Sequence, residues 1–219
     1  MEFILRHGPD GAGPRVMFVP PLFEEANRMR RTLVLTMRAL ADLGIASLLP
    51  DLPGQNESLV ATVAVDLDVW RSALAQLVAA EPGPVIIASL RGGTLIDNCA
   101  AAAGWWRLAP VPGATLLRTM LRARVASDRE AGVTSSIDGL IGDAGHQPLV
   151  LAGNLLSPTM IAQLQDAEPA AVTPLRSVAL GKQISGTPLW LRAEPDEDAA
   201  MAKAMAQELA DWMAICALR

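Results

Sequence analysis

The sequence predicts an α/β fold, a single domain over residues 1–219 built on a mostly parallel central sheet flanked by helices. Three observations predict it. Short continuous apolar runs such as Val85–Ser89 alternate with longer stretches at helical spacing. Hydrophobic residues make up 51% of the chain, rich in Ala, Leu and Val, which suits strands covered on both faces. The 219 residues are enough for one substantial core, and no internal repeat or low-complexity tract divides them.

The elements follow in order. Phe3 to Arg6 is the expected opening strand, and the Gly-Pro-Asp-Gly segment after His7 is a turn. Arg15 to Val19 reads as a buried strand stopped by Pro20 and Pro21. Met29, Leu33, Met37 and Leu40 recur at helical spacing, so a helix is expected from Glu24 to Leu43. Glu24 and Glu25 fall in its first turn, where the helix dipole favours acids, and Gly44 stops it. Ile45 to Leu49 is the next strand. Leu67, Trp70, Leu74 and Leu77 place Val65 to Ala80 on an amphipathic helix, which Glu81-Pro-Gly-Pro84 ends. Val85 to Ser89 is a buried strand, a helix over Gly92 to Ala103 is expected after it, and Leu108 to Val111 reads as a further strand end. Thr115 to Ala126 is helical, with Arg118, Arg122 and Arg124 on it; Arg129 to Gln147 is loop-rich. Leu149 to Gly153 is a short strand, and Ser157 caps a helix reaching Asp166. Residues 114–167 read as a small cap-like insert over the carboxyl edge of the sheet. Arg176 to Leu180 and Pro188 to Arg192 are the expected last strands. Asp196 to Ala217 is the closing helix, with Met201, Met205, Leu209 and Trp212 turned inward. Strand–helix alternation of this kind implies right-handed crossovers.

Charge and cysteine usage exclude several classes. The net charge is −5 and the pI about 5.0, with no basic stripe, so nucleic acid is not an expected partner. Cys99 and Cys216 form no disulfide framework and no metal spacing; they read as buried thiols suited to a reducing cytoplasm. The opening residues lack a signal-peptide core, and no apolar run reaches the roughly 18 residues a membrane span needs. A soluble, cytoplasmic protein is expected. With no metal-ligand set and no dinucleotide fingerprint, no cofactor is expected.

Four segments carry more specific information. They are Phe18-Val-Pro-Pro-Leu-Phe-Glu-Glu-Ala-Asn27 followed by Arg30-Arg31; Asp51-Leu-Pro-Gly54 ending at Ser58; Ser89-Leu-Arg-Gly-Gly93; and Trp106-Arg-Leu-Ala-Pro-Val-Pro-Gly113 followed by Leu116, Leu117, Leu121 and Arg122. Together they resemble the exosortase A system-associated hydrolases, an α/β-hydrolase branch of bacteria that make extracellular polysaccharide. The resemblance covers roughly residues 16–164. It implies an α/β-hydrolase fold and a hydrolase acting on ester-type bonds.

The residues are then measured against that chemistry. In this fold a strand turns sharply into a helix through small-x-nucleophile-x-small. Ser89-Leu90-Arg91-Gly92-Gly93 has that form with Arg91 in the middle, and a guanidinium that stays protonated is no nucleophile. Ser89 is the alternative nucleophile, two residues early; its other reading is a structural hydroxyl. Arg91 has two readings. One is an internal ion pair with Glu24 or Glu25 of the neighbouring loop. The other is an anion pocket built from Arg91, Gly92, Leu22, Phe23, Glu24 and Glu25, with backbone N–H groups assisting. Pro20 and Pro21 remove two N–H donors from the loop that supplies one oxyanion contact, leaving Leu22 or Phe23 to donate; the loop reads equally as a rigid turn. The chain has two histidines, His7, expected to be exposed, and His146 in the insert; neither follows the last strand, where Glu194, Asp196, Glu197 and Asp198 stand. Those acids read as caps of the closing helix, with acid/base groups as the other reading. Asn56 stands where a second glycine of the Asp51 loop is usual and tolerates the left-handed conformation. Trp105 and Trp106 read as core anchors, with the lining of a ligand pocket as the other reading. Three functions follow: a hydrolase with an atypical nucleophile, a pseudo-hydrolase that binds an anionic small molecule through Arg91, or a scaffold for a protein partner. A homodimer is compatible with each.

Overall fold

A computed structural model describes residues 2–217. Among these residues eight strands are formed: β1 (Ile4–His7), β2 (Arg15–Val19), β3 (Ala46–Pro50), β4 (Val85–Leu90), β5 (Gly104–Leu108), β6 (Leu149–Leu151), β7 (Asn154–Leu156) and β8 (Leu175–Val178). Six of them make one sheet in the order β1-β3-β2-β4-β5-β8. Only β1 runs antiparallel, pairing Ile4 with Pro50 and His7 with Ser47. The others are parallel, with Val19 beside Ser89 and Ser89 beside Arg107. β6 and β7 form a separate hairpin closed by Ala152 and Gly153, both at positive φ, as a tight two-residue turn demands.

The sheet is covered on both faces. Helices α1 (Glu24–Asp42) and α6 (Ala199–Ala217) lie against one, where Phe18, Ala88, Trp106 and Leu108 are buried with Met29, Leu33, Met205 and Leu209. Helices α2 (Leu67–Ala80), α3 (Gly113–Glu130), α4 (Ile137–Ala144) and α5 (Pro158–Asp166) contribute to the other, around Met17, Ile87, Trp70 and Leu164. Alternate residues of β4 and β5 feed the two cores, the period-2 signature of a strand buried on both sides. The helix starts are capped as their sequences dictate: Asp66 accepts from Asp68 N and Val69 N, and Ser157 accepts from Met160 N with Pro158 in the first turn.

Four sequence expectations are corrected. No helix fills Gly92–Ala103: a 3-10 turn spans Arg91–Leu95 and the chain then runs as a loop. Arg107, in the middle of β5, points into that face of the sheet, and Asp97 descends to meet it. Burying a guanidinium unpaired is far costlier than a few lost helical bonds. Pro188–Arg192 is a 3-10 turn at Leu189–Leu191, so the sheet ends at β8; Leu189 and Trp190 are buried beside α1 rather than paired in a strand. The strand placed at Leu108–Val111 lies one stretch earlier, Gly104–Leu108, because Pro110 and Pro112 cannot donate to a ladder. The loop-rich stretch from Arg129 contains α4, capped by Ser136, whose hydroxyl accepts from Gly139 N. No helix among the described residues is long and apolar enough to cross a membrane.

Candidate functional site

The site is a corner at the carboxyl ends of β2 and β4. β2 leaves the sheet through Pro20 and Pro21, both buried, and Phe23 takes φ 58 before α1 begins. β4 ends at Leu90, and Arg91 takes φ 52, a left-handed conformation in a non-glycine residue. Of the two glycines that follow, Gly93 is required by backbone contact and Gly92 is closely packed by side chains. A Cβ on Gly93 would lie 2.4 Å from Pro20 O, and one on Gly92 2.9 Å from Leu116 Cδ2. Thr94 Oγ1 donates to Arg91 O at 2.8 Å and holds the turn.

Arg91 faces Glu25. Its Nε and Nη2 donate to the two carboxylate oxygens at 3.1 Å each, a fork-to-fork pairing. Its guanidinium carbon lies 4.9 Å from the centroid of the Trp190 ring. Arg28 Nη1 in turn donates to Trp190 O at 2.9 Å and Arg28 Nη2 to Glu24 Oε2 at 2.9 Å. Glu25 is buried, Arg91 is 17% exposed along its side chain, and Glu24 is solvated. Leu22 and Phe23 are buried, the latter with its ring 5.6 Å from Trp70. Of the loop residues, Glu25 therefore meets Arg91, while Glu24 turns to Arg28. Neither of the two described cavities is lined by Arg91.

Ser89 lies beneath the corner, on the other side of the strand. It has no solvent exposure, and its hydroxyl donates to Asp97 Oδ2 at 2.5 Å. Arg107 Nε and Nη2 donate to the same carboxylate at 2.8 and 2.7 Å, and Trp105 Nε1 to Asp97 O at 2.9 Å. Asp97 and Arg107 were not singled out by sequence reasoning. The signal was present: an arginine inside an otherwise apolar strand, Gly104-Trp-Trp-Arg-Leu108, demands a buried acid.

No histidine joins these groups. His7 pairs with Ser47 at the amino end of β3, the opposite end of the sheet from Arg91, and is half-buried rather than exposed. His146 is in an exposed turn after α4. Asp198 accepts from Met201 N at 2.8 Å at the start of α6. The Asp51 loop is internally tied: Arg30 Nη1 and Asn56 Nδ2 donate to Asp51 Oδ1 at 2.9 and 2.8 Å, and Asn56 has φ 47. Trp105 and Trp106 are both buried. Burial pushes the Cys99 thiol up to about 11, so it is a poor nucleophile at neutral pH. Among the described residues no group of three His, Cys, Asp or Glu side chains is placed to hold a metal ion.

No protein-family model and no curated protein matches the chain. Solved structures do. Est1E from Butyrivibrio proteoclasticus aligns with TM-score 0.61 at 13% identity, covering 99% of this chain and 94% of that one. A carboxylesterase structure from Nitrososphaera gargenis gives 0.60 at 12% identity over 98% and 94%, and mouse alpha/beta hydrolase domain-containing protein 10 gives 0.57 at 13% identity over 96% and 92%. The chain has the α/β-hydrolase fold. Identity this low carries the fold and leaves the activity to the residues.

Proposed function

We propose that this protein is a hydrolase-fold protein that binds without Ser-His-Asp chemistry. The observation that carries the reading is the corner at Arg91. A positive-φ residue between a buried strand and a glycine pair, the second of which is pressed against backbone, is the geometry of a nucleophile elbow, and an arginine occupies it in a bidentate bond to Glu25. The elbow thus holds a permanent cation with its own counter-ion. A ligand carboxylate or phosphate that exchanges with Glu25 would find a preformed fork, with Trp190 stacked on it. In this reading Leu22, Phe23 and Gly92 wall the corner, and residues 114–167 are a cap-like insert over it. The resemblance to the exosortase A system-associated hydrolases supports a bacterial, cytoplasmic setting beside exopolysaccharide export or protein sorting.

The second reading is a hydrolase of ester-type bonds with Ser89 as nucleophile. The feature in its favour is the 2.5 Å hydrogen bond from Ser89 to Asp97. Against it, the hydroxyl is sealed from solvent and its carboxylate is already committed to Arg107. A fluorophosphonate serine probe separates the two, with an active serine hydrolase labelled alongside. No adduct on the native protein is expected. An adduct mapped to Ser89 by mass spectrometry would overturn the binding-only reading.

A further inference from the structure

Among the described residues, eleven arginines are held by carboxylates in ion pairs. Four described arginines have no ion pair and no side-chain hydrogen bond: Arg38, Arg118, Arg122 and Arg129. Three of the four are on α3, and their spacing places them within about 40° of one another around the helix axis. The stripe is not a general property of α3. Arg124 of the same helix donates to Asp128 Oδ1 at 2.7 Å and to Val150 O at 2.9 Å. In a chain of net charge −5, three cations on one helix face with no acid bonded to them are a local inversion of the protein's charge.

Beside that stripe is a cavity of about 510 Å³ between α3 and α4. Leu117 and Leu121 of α3 and Ile137 and Ile141 of α4 supply its apolar walls, and Arg118 and Arg122 its rim. Gln165 adds a neutral polar group, and Asp138, itself without an ion pair, is the single carboxylate on the wall. The volume falls in the range of small-molecule sites, roughly 300–1,000 Å³. A trough with an apolar strip along its walls and two unpaired guanidiniums at one side matches a ligand with an apolar chain and an anionic end.

We propose that the α3–α4 cavity binds an alkyl or acyl chain with an anionic head group, the head held by Arg118 and Arg122 and the chain lying between Leu117, Leu121, Ile137 and Ile141. Arg129 extends the positive field along α3 and steers the head. The site is separate from Arg91, so its failure leaves the reading of the corner untouched. The shared chemistry is a carboxylate or phosphate on a chain, from either a soluble amphiphile or a bilayer lipid.

The test uses dodecyl phosphate below its micellar concentration, titrated calorimetrically into the full chain. Saturable one-to-one binding is expected. In Arg118→Ala/Arg122→Ala the affinity should fall by roughly tenfold or more, the scale of one or two charge-assisted contacts. Dodecanol, with the same chain and no charge, should bind like the double variant. Both arginines are exposed, so the variant should keep the native circular dichroism and melting temperature. Unchanged affinity in the folded double variant, or binding that never saturates, overturns the proposal. Flotation with phosphatidylglycerol vesicles separates the sources. Monomer binding with flotation assigns the head to bilayer lipid, and monomer binding without it assigns the head to a soluble amphiphile. Flotation without monomer binding overturns the cavity in favour of simple surface adsorption.

Discussion

The Arg91 corner and the α3–α4 face are both built around arginine, and they treat it in opposite ways. At the corner a guanidinium is mostly buried, meets Glu25 with two hydrogen bonds and stacks on Trp190. Directly below it a second one, Arg107, is fully enclosed and forked onto Asp97. On α3, Arg118 and Arg122 stand at the edge of an apolar trough with no acid bonded to either. Where water is excluded, each charge has its counter-ion within the chain, because an orphaned buried charge costs several kcal/mol. Where water is present, a charge can be left free, and a free charge is what a ligand can use. The Arg91 corner is thus internally satisfied, and α3 carries guanidiniums with no carboxylate bonded to them.

The contrast makes graded predictions. The largest effect is expected beneath the corner. Asp97→Ala leaves Arg107 buried without a partner and should lose about 3–5 kcal/mol in urea unfolding. A loss below about 1 kcal/mol, the scale of a single ordinary hydrogen bond, would mean that water already reaches Arg107, and the division between closed and open arginines would blur. Next comes the corner itself. Glu25→Ala should cost about 2 kcal/mol by stranding Arg91. In a double-mutant cycle, Glu25→Leu with Arg91→Leu should cost less than the two single changes together. Additive costs would show that Glu25 and Arg91 are not coupled. Arg91→Ser places a hydroxyl at the elbow, yet fluorophosphonate labelling should stay absent, since neither histidine stands at the corner to activate it.

A smaller, pH-dependent effect belongs to the base of the sheet. Arg6 bonds to Glu81 with both of its terminal nitrogens, and Arg15 reaches the same carboxylate at 2.7 Å, tying β1 and β2 to the end of α2. The Arg6 hydrogen bond, more than any other influence, holds the Glu81 carboxyl below its ordinary value of 4.5. A depressed acid contributes stability that is fully present above the unfolded-state value and fades as pH falls through the folded one. Melting temperatures of the native protein and Glu81→Gln should therefore differ at neutral pH and converge as the pH falls below 4.5 and on through the depressed folded-state value. A gap that persists in acid would assign the effect to packing. The smallest effect is on α3, where Arg118→Ala and Arg122→Ala should each change stability by less than about 0.5 kcal/mol. A larger loss would reveal a counter-ion in solution and weaken the case for free binding capacity there.

The sequence by itself determined the sheet-and-helix plan and the two proline-stopped and glycine-flanked turns; it offered the pairing of Arg91 with Glu24 or Glu25 as one of two readings. These are local matters. Apolar runs specify buried strands, Met29-Leu33-Met37-Leu40 specifies one helix face, and Gly92-Gly93 specifies a turn pressed against another chain segment. Tertiary structure alone decided between Glu24 and Glu25, because the choice depends on which side of the first turn of α1 faces β4. It also decided against a helix after Leu95. The apolar residues there are compatible with one, but Arg107, brought alongside Ser89 by strand pairing, draws Asp97 down onto the sheet. The last strand was lost for a similar reason: Leu189 and Trp190 gain more by burial beside α1 and over Arg91 than from extending an edge. The open α3–α4 trough was likewise invisible in the sequence. A run of arginines on a helix says nothing about which of them will find an acid, and that depends on residues far away in the chain.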